Sequence, residues 1–137
     1  MTMVTPTAEG DLNLAAIAPV VERYFAGFNA ADYCAVAALF EDDGVLLAPF
    51  EAPIVGSEAI YTYLQTEAIA MQATPVEVET TPGENGSHRV VVKGCVKTRL
   101  FTVNVRWTFG LTAANTLQSA EIRLLASLQE LVQLNQG

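Results

Sequence analysis

The sequence predicts an α+β fold, a curved antiparallel sheet packed on three helices. Two observations carry this expectation. The first is a long alternation around Cys95–Leu111, CVKTRLFTVNVRWTFGL. Val90, Val92, Val96, Thr98 and Leu100 share one parity; Arg89, Val91, Lys93, Cys95, Lys97 and Arg99 share the other. Past a break near Leu100, the apolar parity passes to Phe101, Val103, Val105, Trp107, Phe109 and Leu111. Thr102, Asn104, Arg106 and Thr108 then face away. Alternation of this length belongs to two half-buried antiparallel strands. The change of parity calls for a tight hairpin or a bulged bend between them. The second observation is the order of the chain: apolar stripes at helical spacing fill the first half, and alternation fills the second. A curved sheet wrapped on helices can form a cone with an apolar interior, leaving its outer face for a dimer contact.

The elements follow in order. Residues 1–11 are small, polar and acidic and are expected to be a disordered tail, with one domain over residues 12–137. Pro19 suits a helix start. Val20, Val21, Tyr24, Phe25 and Phe28 make its stripe, and Asn29 ends it. Tyr33, Val36, Ala37 and Phe40 predict a second helix, stopped by Glu41-Asp42-Asp43-Gly44, with a short strand over Val45 to Leu47. Two prolines, Pro49 and Pro53, punctuate a loop and bias the residues before them toward extended backbone. Ser57 is the expected cap of a third helix carrying Ile60, Tyr63, Leu64, Ala68 and Met71, with Glu67 on the same side. Val76, Val78 and Thr80 alternate with Glu77, Glu79 and Thr81 as a strand with one wet face. A turn at Pro82-Gly83-Glu84-Asn85-Gly86 leads into the strand pair. A last strand points Ala120, Ile122 and Leu124 inward, and Ser127 opens a short final helix.

Composition narrows the function. The 137 residues suffice for one core. Mean hydropathy is +0.31, high for a chain with no apolar run near the ~20 residues that span a bilayer. The surplus apolar residues must line a core, an interface or a cavity. Fifteen acids against seven bases leave a net charge of −8, which argues against nucleic acid or an anionic membrane surface as partner. Cys34 and Cys95 are too few for a disulfide scaffold or zinc site, and the N-terminus has no signal-peptide pattern. A cytoplasmic location is expected. The single Trp, Trp107, sits mid-strand on the apolar face. A buried indole N–H wants an acceptor, and none is obvious in the sequence. A ligand is expected to supply it.

Several stretches, ERYFAGFNAADY, LFEDDGVLLAPFEAPIVGSEAI, VVVKGCVKTRLF, NVRWTF and LLASLQEL, together resemble the C-terminal domain of the orange carotenoid protein family, within the nuclear transport factor 2-like superfamily. They span most of residues 20–134 in order, and no helical carotenoid-binding domain is expected ahead of them. The resemblance is to stand-alone cyanobacterial homologues of that domain. It implies a cone fold and a ketocarotenoid of the echinenone or canthaxanthin type, its ring carbonyl accepting hydrogen bonds from Tyr24 and Trp107. The family's tunnel lining maps onto Phe28, Met71, Val96, Thr98, Leu100 and Phe109. It further implies carriage or delivery of the pigment, quenching of reactive oxygen, one pigment shared across a homodimer, and helical carotenoid-binding domain proteins as donors or acceptors. This chain departs from the family at Thr98-Arg99-Leu100-Phe101, where the family has Thr-Pro-Trp-Phe, and at Ala48-Pro49-Phe50 and Leu128.

Each residue also has a plainer reading. Trp107, Phe28, Met71 and Phe109 can be ordinary core, and Tyr24 a helix-stripe residue. Cys95 lies on the outer parity, where it is either an inert thiol or a redox-sensitive cross-link between subunits. Two other functions compete. An isomerase- or cyclase-type enzyme could use Tyr24 to stabilise an enolate, but it needs a general base. Asp42 and Asp43 sit at an expected helix end, and no strand Asp, Glu or His has inward parity. A dimerising adaptor without ligand would leave Tyr24 and Trp107 simply packed. The sequence therefore favours a non-enzymatic ligand carrier.

Overall fold

Pro19 has no amide hydrogen to lose and a fixed φ, so it sits without cost in the first turn of a helix. The structure, a computed structural model that describes residues 13–125, begins α2 (Pro19–Asn29) there, just after a one-turn α1 (Leu14–Ile17) that the sequence reading missed. The expected stripe of Val20, Val21, Tyr24, Phe25 and Phe28 is the buried face of α2. Asp32 caps α3 (Tyr33–Ala37), its carboxylate accepting from the Ala35 amide at 3.2 Å. The expected tail (residues 1–11) and the helix opened by Ser127 lie outside the described residues.

The second helix is shorter than expected. It stops at Ala37, and Phe40 opens a strand, β1 (Phe40–Leu47). The acidic run Glu41-Asp42-Asp43 is therefore strand, not helix end. The cause is tertiary: the Leu117 amide donates to the Leu39 carbonyl at 2.9 Å, and a distant strand captures this segment. A two-residue β2 (Ile54–Val55) pairs with β1, also unforeseen. Helix α4 (Ser57–Glu67) follows. Its N-cap is Gly56 rather than Ser57; the backbone there turns at φ +94°, which glycine adopts without strain. The helix ends at Glu67, so Ala68 and Met71 lie in the connection beyond it.

The rest is strand: β3 (Gln72–Pro82), a 3-10 turn at Glu84–Gly86, β4 (His88–Lys97), β5 (Thr102–Leu111) and β6 (Leu117–Leu125). One six-stranded sheet runs β2-β1-β6-β5-β4-β3. It is mixed rather than purely antiparallel, because β1 and β6 pair in parallel. No tight turn joins those two strands, so nothing local dictates their relative direction. In β3 the pairing passes from Pro75↔Gly94 to Glu77↔Lys93, leaving Val76 as a bulge. Val76, expected inward, is thus 62% exposed. Gly94 makes the bulge possible: a Cβ there would meet the Thr74 carbonyl oxygen at 2.0 Å.

The expected parities of the long pair hold along β4 and β5 and fail at the turn between them, where Leu100 and Phe101 are exposed. Val90, Val92 and Val96 of β4 and Val105, Trp107, Phe109 and Leu111 of β5 are buried against the helices. The register confirms it, with Val90↔Phe109 and Val92↔Trp107 side by side. Phe25 meets Trp107 edge to face at 4.7 Å, and Tyr24 meets Phe109 at 5.0 Å. Such contacts fix the rotation of α2 over the sheet.

The hairpin that the sequence left unreadable is organised by Thr98. Its hydroxyl donates to the Phe101 carbonyl at 2.9 Å and accepts from the Leu100 and Phe101 amides at 3.2 and 3.1 Å. A side chain thus does the work usually given to Gly or Asn. Asn29 is a second such brace. Its amide nitrogen donates to the Ala73 carbonyl at 2.8 Å, and its oxygen accepts from the Ala73 amide at 2.7 Å. The end of α2 therefore pairs with β3 as a strand would. Tyr33 donates to the Ala68 carbonyl at 3.0 Å and ties α3 to the end of α4.

Candidate functional site

Helices α2 and α4 do not fill the curve of the sheet. Between them and β4, β5 and β6 remains a cavity of about 270 Å³. Tyr24 and Phe28 enter it from α2, and Tyr63 and Leu64 from α4. Met71 closes one side from the connection after α4, while Val96, Thr98, Val105, Trp107 and Ile122 form the sheet wall. It opens where Phe101 and Leu124 line it, side chains 58% and 47% exposed, beside the Ala48-Pro49 loop.

Tyr24 and Trp107 face this one cavity from opposite walls, the phenol from a helix and the indole from a strand. Both are buried, at 2% and 3% exposure. Among the described residues neither the Tyr24 hydroxyl nor the Trp107 N–H has a hydrogen-bond partner. Burial, and then the nearby Tyr63 phenol, push the Tyr24 hydroxyl far above the ordinary tyrosine value, so it remains a donor. The Tyr63 phenol is also raised, first by partial burial and then by the carboxylates of Glu51 and Glu67. Glu67 is an exposed residue at the end of α4 whose side chain reaches the cavity edge. Asp42 and Asp43, the bases considered for an enzyme, are exposed on β1 and do not line the cavity.

Six of the eight residues named for the site therefore line one space: Tyr24, Phe28, Met71, Val96, Thr98 and Trp107. Two do not. Leu100 stands at the hairpin tip, 87% exposed, because the turn built on Thr98 ends the alternation before it. Phe109 is fully buried behind the cavity, packed on Tyr24 and Phe25, two residues farther along β5 than Trp107. Tyr63, a helix-stripe residue by its spacing, also brings its hydroxyl to this lining. Spacing could have found it, since Tyr63 directly precedes the buried Leu64 and lies four residues before Glu67. Cys95 is half-buried on the outer sheet face, beside Asn104, with its thiol unpaired. Among the described residues no cluster of His, Cys, Asp or Glu is suited to hold a metal, and no helix is long and apolar enough to cross a membrane.

Comparison with known proteins places this geometry. Residues 21–126 match the SnoaL-like domain family. The chain belongs to that family. The SnoaL-like domain is 34% identical over 118 residues to the orange carotenoid-binding protein of Limnospira maxima, matching 83% of this chain and 37% of that protein. The orange carotenoid-binding protein of Synechocystis sp. is 34% identical over 116 residues, with 82% and 37% covered. The chain thus spans a little over a third of the length of these relatives, as a homologue of one of their domains would. Among solved structures, the Orange Carotenoid Protein of Anabaena (Nostoc), binding canthaxanthin, superposes with a TM-score of 0.77 at 33% identity, over 83% of this chain and 38% of that one. The SnoaL-like domain therefore has the nuclear transport factor 2-like fold and is a homologue of carotenoid-binding proteins.

Proposed function

We propose that this domain binds a ketocarotenoid, of the echinenone or canthaxanthin type, with its ring carbonyl held between Tyr24 and Trp107. One observation carries the reading: two buried side chains with unpartnered donors, Tyr24 and Trp107, line one apolar cavity. A carbonyl oxygen has two lone pairs and accepts from both at once. Each hydrogen bond contributes about 0.5–1.5 kcal/mol, and leaving a buried donor unmet costs about 1–3 kcal/mol. A keto ring is therefore preferred over a hydrocarbon ring. Burial of the polyene supplies most of the affinity, at about 25 cal/mol per Å². Hydrogen bonding to a conjugated carbonyl withdraws electron density along the polyene and moves its absorption to the red.

A cavity of about 270 Å³ takes an end ring and the first part of a polyene, not a whole carotenoid. The remainder leaves through the mouth beside Phe101 and Leu124. In this reading a second copy covers it, so one pigment is shared across a homodimer. The domain then acts as a carrier that takes pigment from, or delivers it to, helical carotenoid-binding domain proteins, and quenches reactive oxygen while loaded. Cys95, on the outer face, is placed to tune this by its redox state only if the subunits meet there.

An isomerase- or cyclase-type activity has less support. Among the described residues the cavity lining includes one carboxylate, the exposed Glu67, and a proton abstraction needs a base beside the substrate. A ligand-free adaptor would have no use for an unfilled interior with two idle donors. Expression in a ketocarotenoid-producing host tests all three readings. The expected result is a coloured dimer whose absorption is red-shifted from free pigment. Trp107→Phe is expected to keep the fold, bind about 0.5–1.5 kcal/mol more weakly and lose much of the red shift. Colourless protein from such a host, or pigment bound with an unshifted spectrum, would refute the assignment.

A further inference from the structure

The cavity offers more hydrogen-bonding groups than a lone carbonyl can use. Its polar side chains are Tyr24, Tyr63, Glu67, Thr98 and Trp107. The Thr98 hydroxyl is committed to the hairpin, and Glu67 is exposed at the helix end. Three uncommitted groups remain: the Tyr24 and Trp107 donors, and the Tyr63 hydroxyl, which has no hydrogen-bond partner among the described residues. A carbonyl accepts two good hydrogen bonds. The third group matches a second oxygen on the same end of the ligand.

Position supports the match. Tyr63 projects from α4 beside the buried Leu64, on the wall that also carries the Glu67 side chain. Both phenols line the same cavity, and the Tyr63 phenol adds to the burial that holds the proton on Tyr24. With the carbonyl held by Tyr24 and Trp107, Tyr63 is the remaining uncommitted polar group in the same cavity lining for an oxygen on the neighbouring ring carbon. A protonated phenol both donates and accepts, so it suits a hydroxyl, which does the same. Because Tyr63 is only half-buried, water satisfies it when the ligand lacks that hydroxyl. The residue rewards the second oxygen without penalising its absence.

We propose that Tyr63 is a specificity-determining residue that selects end rings bearing a hydroxyl adjacent to the carbonyl, an α-hydroxyketone, over rings bearing the carbonyl alone. This rests on the carotenoid-binding reading. One hydrogen bond of ordinary strength corresponds to a preference of about two- to tenfold.

The test is competitive loading of the full chain with equal amounts of canthaxanthin, whose rings carry carbonyls only, and astaxanthin, whose rings carry the adjacent hydroxyl as well. Pigment is then extracted and the ratio measured for wild type and Tyr63→Phe. The expected result is a wild-type preference for astaxanthin of about two- to tenfold, abolished in Tyr63→Phe. Phe keeps the ring and its packing, so the fold is preserved. Equal wild-type uptake of the two pigments, an unchanged preference in the variant, or an equal loss of both pigments overturns the role of Tyr63 and leaves the carotenoid reading standing. Retention of neither pigment by wild type overturns the carotenoid reading and this proposal together.

Discussion

The two faces of the sheet are made by the same strands and could hardly differ more. The inner face carries Val90, Val92, Val105, Trp107 and Phe109, with no charge along β4 and β5 away from their ends. The outer face holds five of the chain's seven Lys and Arg residues: Arg89, Lys93, Lys97, Arg106 and Arg123. Lys93, Arg106 and Arg123 stand directly side by side across three strands, and among the described residues only Arg123 has a salt bridge there, to Glu121 at 3.1 Å. The Arg106 Nε is buried without a partner among the described residues. The inner face is thus a nearly uncharged wall with two idle donors. The outer face gathers most of the chain's cations, interleaved with Glu77, Glu79 and Glu121. Burial has sorted the side chains by parity: the inner face excludes charge, and the outer face carries it.

The inner face itself divides into packing and lining, and mutations separate the two. Phe109→Ala removes a ring packed on Tyr24 and Phe25 but absent from the cavity wall. It is expected to cost about 3–5 kcal/mol of stability, read from the denaturant midpoint. Trp107→Phe, two residues away, is expected to cost far less stability and to alter the pigment spectrum instead. Equal stability losses would erase the distinction. Next in size is Asn29→Ala. It strips both hydrogen-bond partners from Ala73 and is expected to destabilise by about 1–3 kcal/mol, with faster amide exchange at Ala73.

A pH effect sharpens the same face. Burial raises the Tyr24 phenol above its free value of 10.0, so the folded chain holds this proton more tightly than the unfolded chain. Stability is unaffected by Tyr24 below that value and falls as pH rises beyond it. Tyr24→Phe is expected to flatten the alkaline part of a plot of unfolding midpoint against pH. A slope identical to wild type would mean that Tyr24 ionises freely. The smallest effect belongs to the outer face. Arg106→Thr removes the middle of three adjacent cations and is expected to stabilise by about 0.2–1 kcal/mol at low salt. The gain should shrink as salt screens the row.

Local pattern was enough to read much of this molecule. The stripe of α2 and the parities of β4 and β5 are short-range facts, since a side chain's face depends on its place in a 3.6- or 2-residue period. The same regularity puts Tyr24, Phe28, Val96 and Trp107 on inward faces. It failed where a long-range partner overruled the local signal. Phe40 and the acids after it read as the end of a helix, yet the Leu39 carbonyl accepts from Leu117 and the segment becomes strand. Val76 read as inward, yet the close approach of Gly94 to Thr74 pushes it out as a bulge. Leu100 read as lining, yet Thr98 turns the chain first.

The sequence by itself determined which residues face inward and that the interior holds one indole among aliphatic and aromatic neighbours. Only the tertiary structure decided that Tyr24, from a helix, and Trp107, from a strand 83 positions on, share one unfilled space, and that Tyr63 joins them. Periodicity assigns a face to each element separately. Whether two faces meet in contact or stand apart around a cavity depends on sheet curvature and helix placement, which bulges, braces such as Asn29 and packing set jointly.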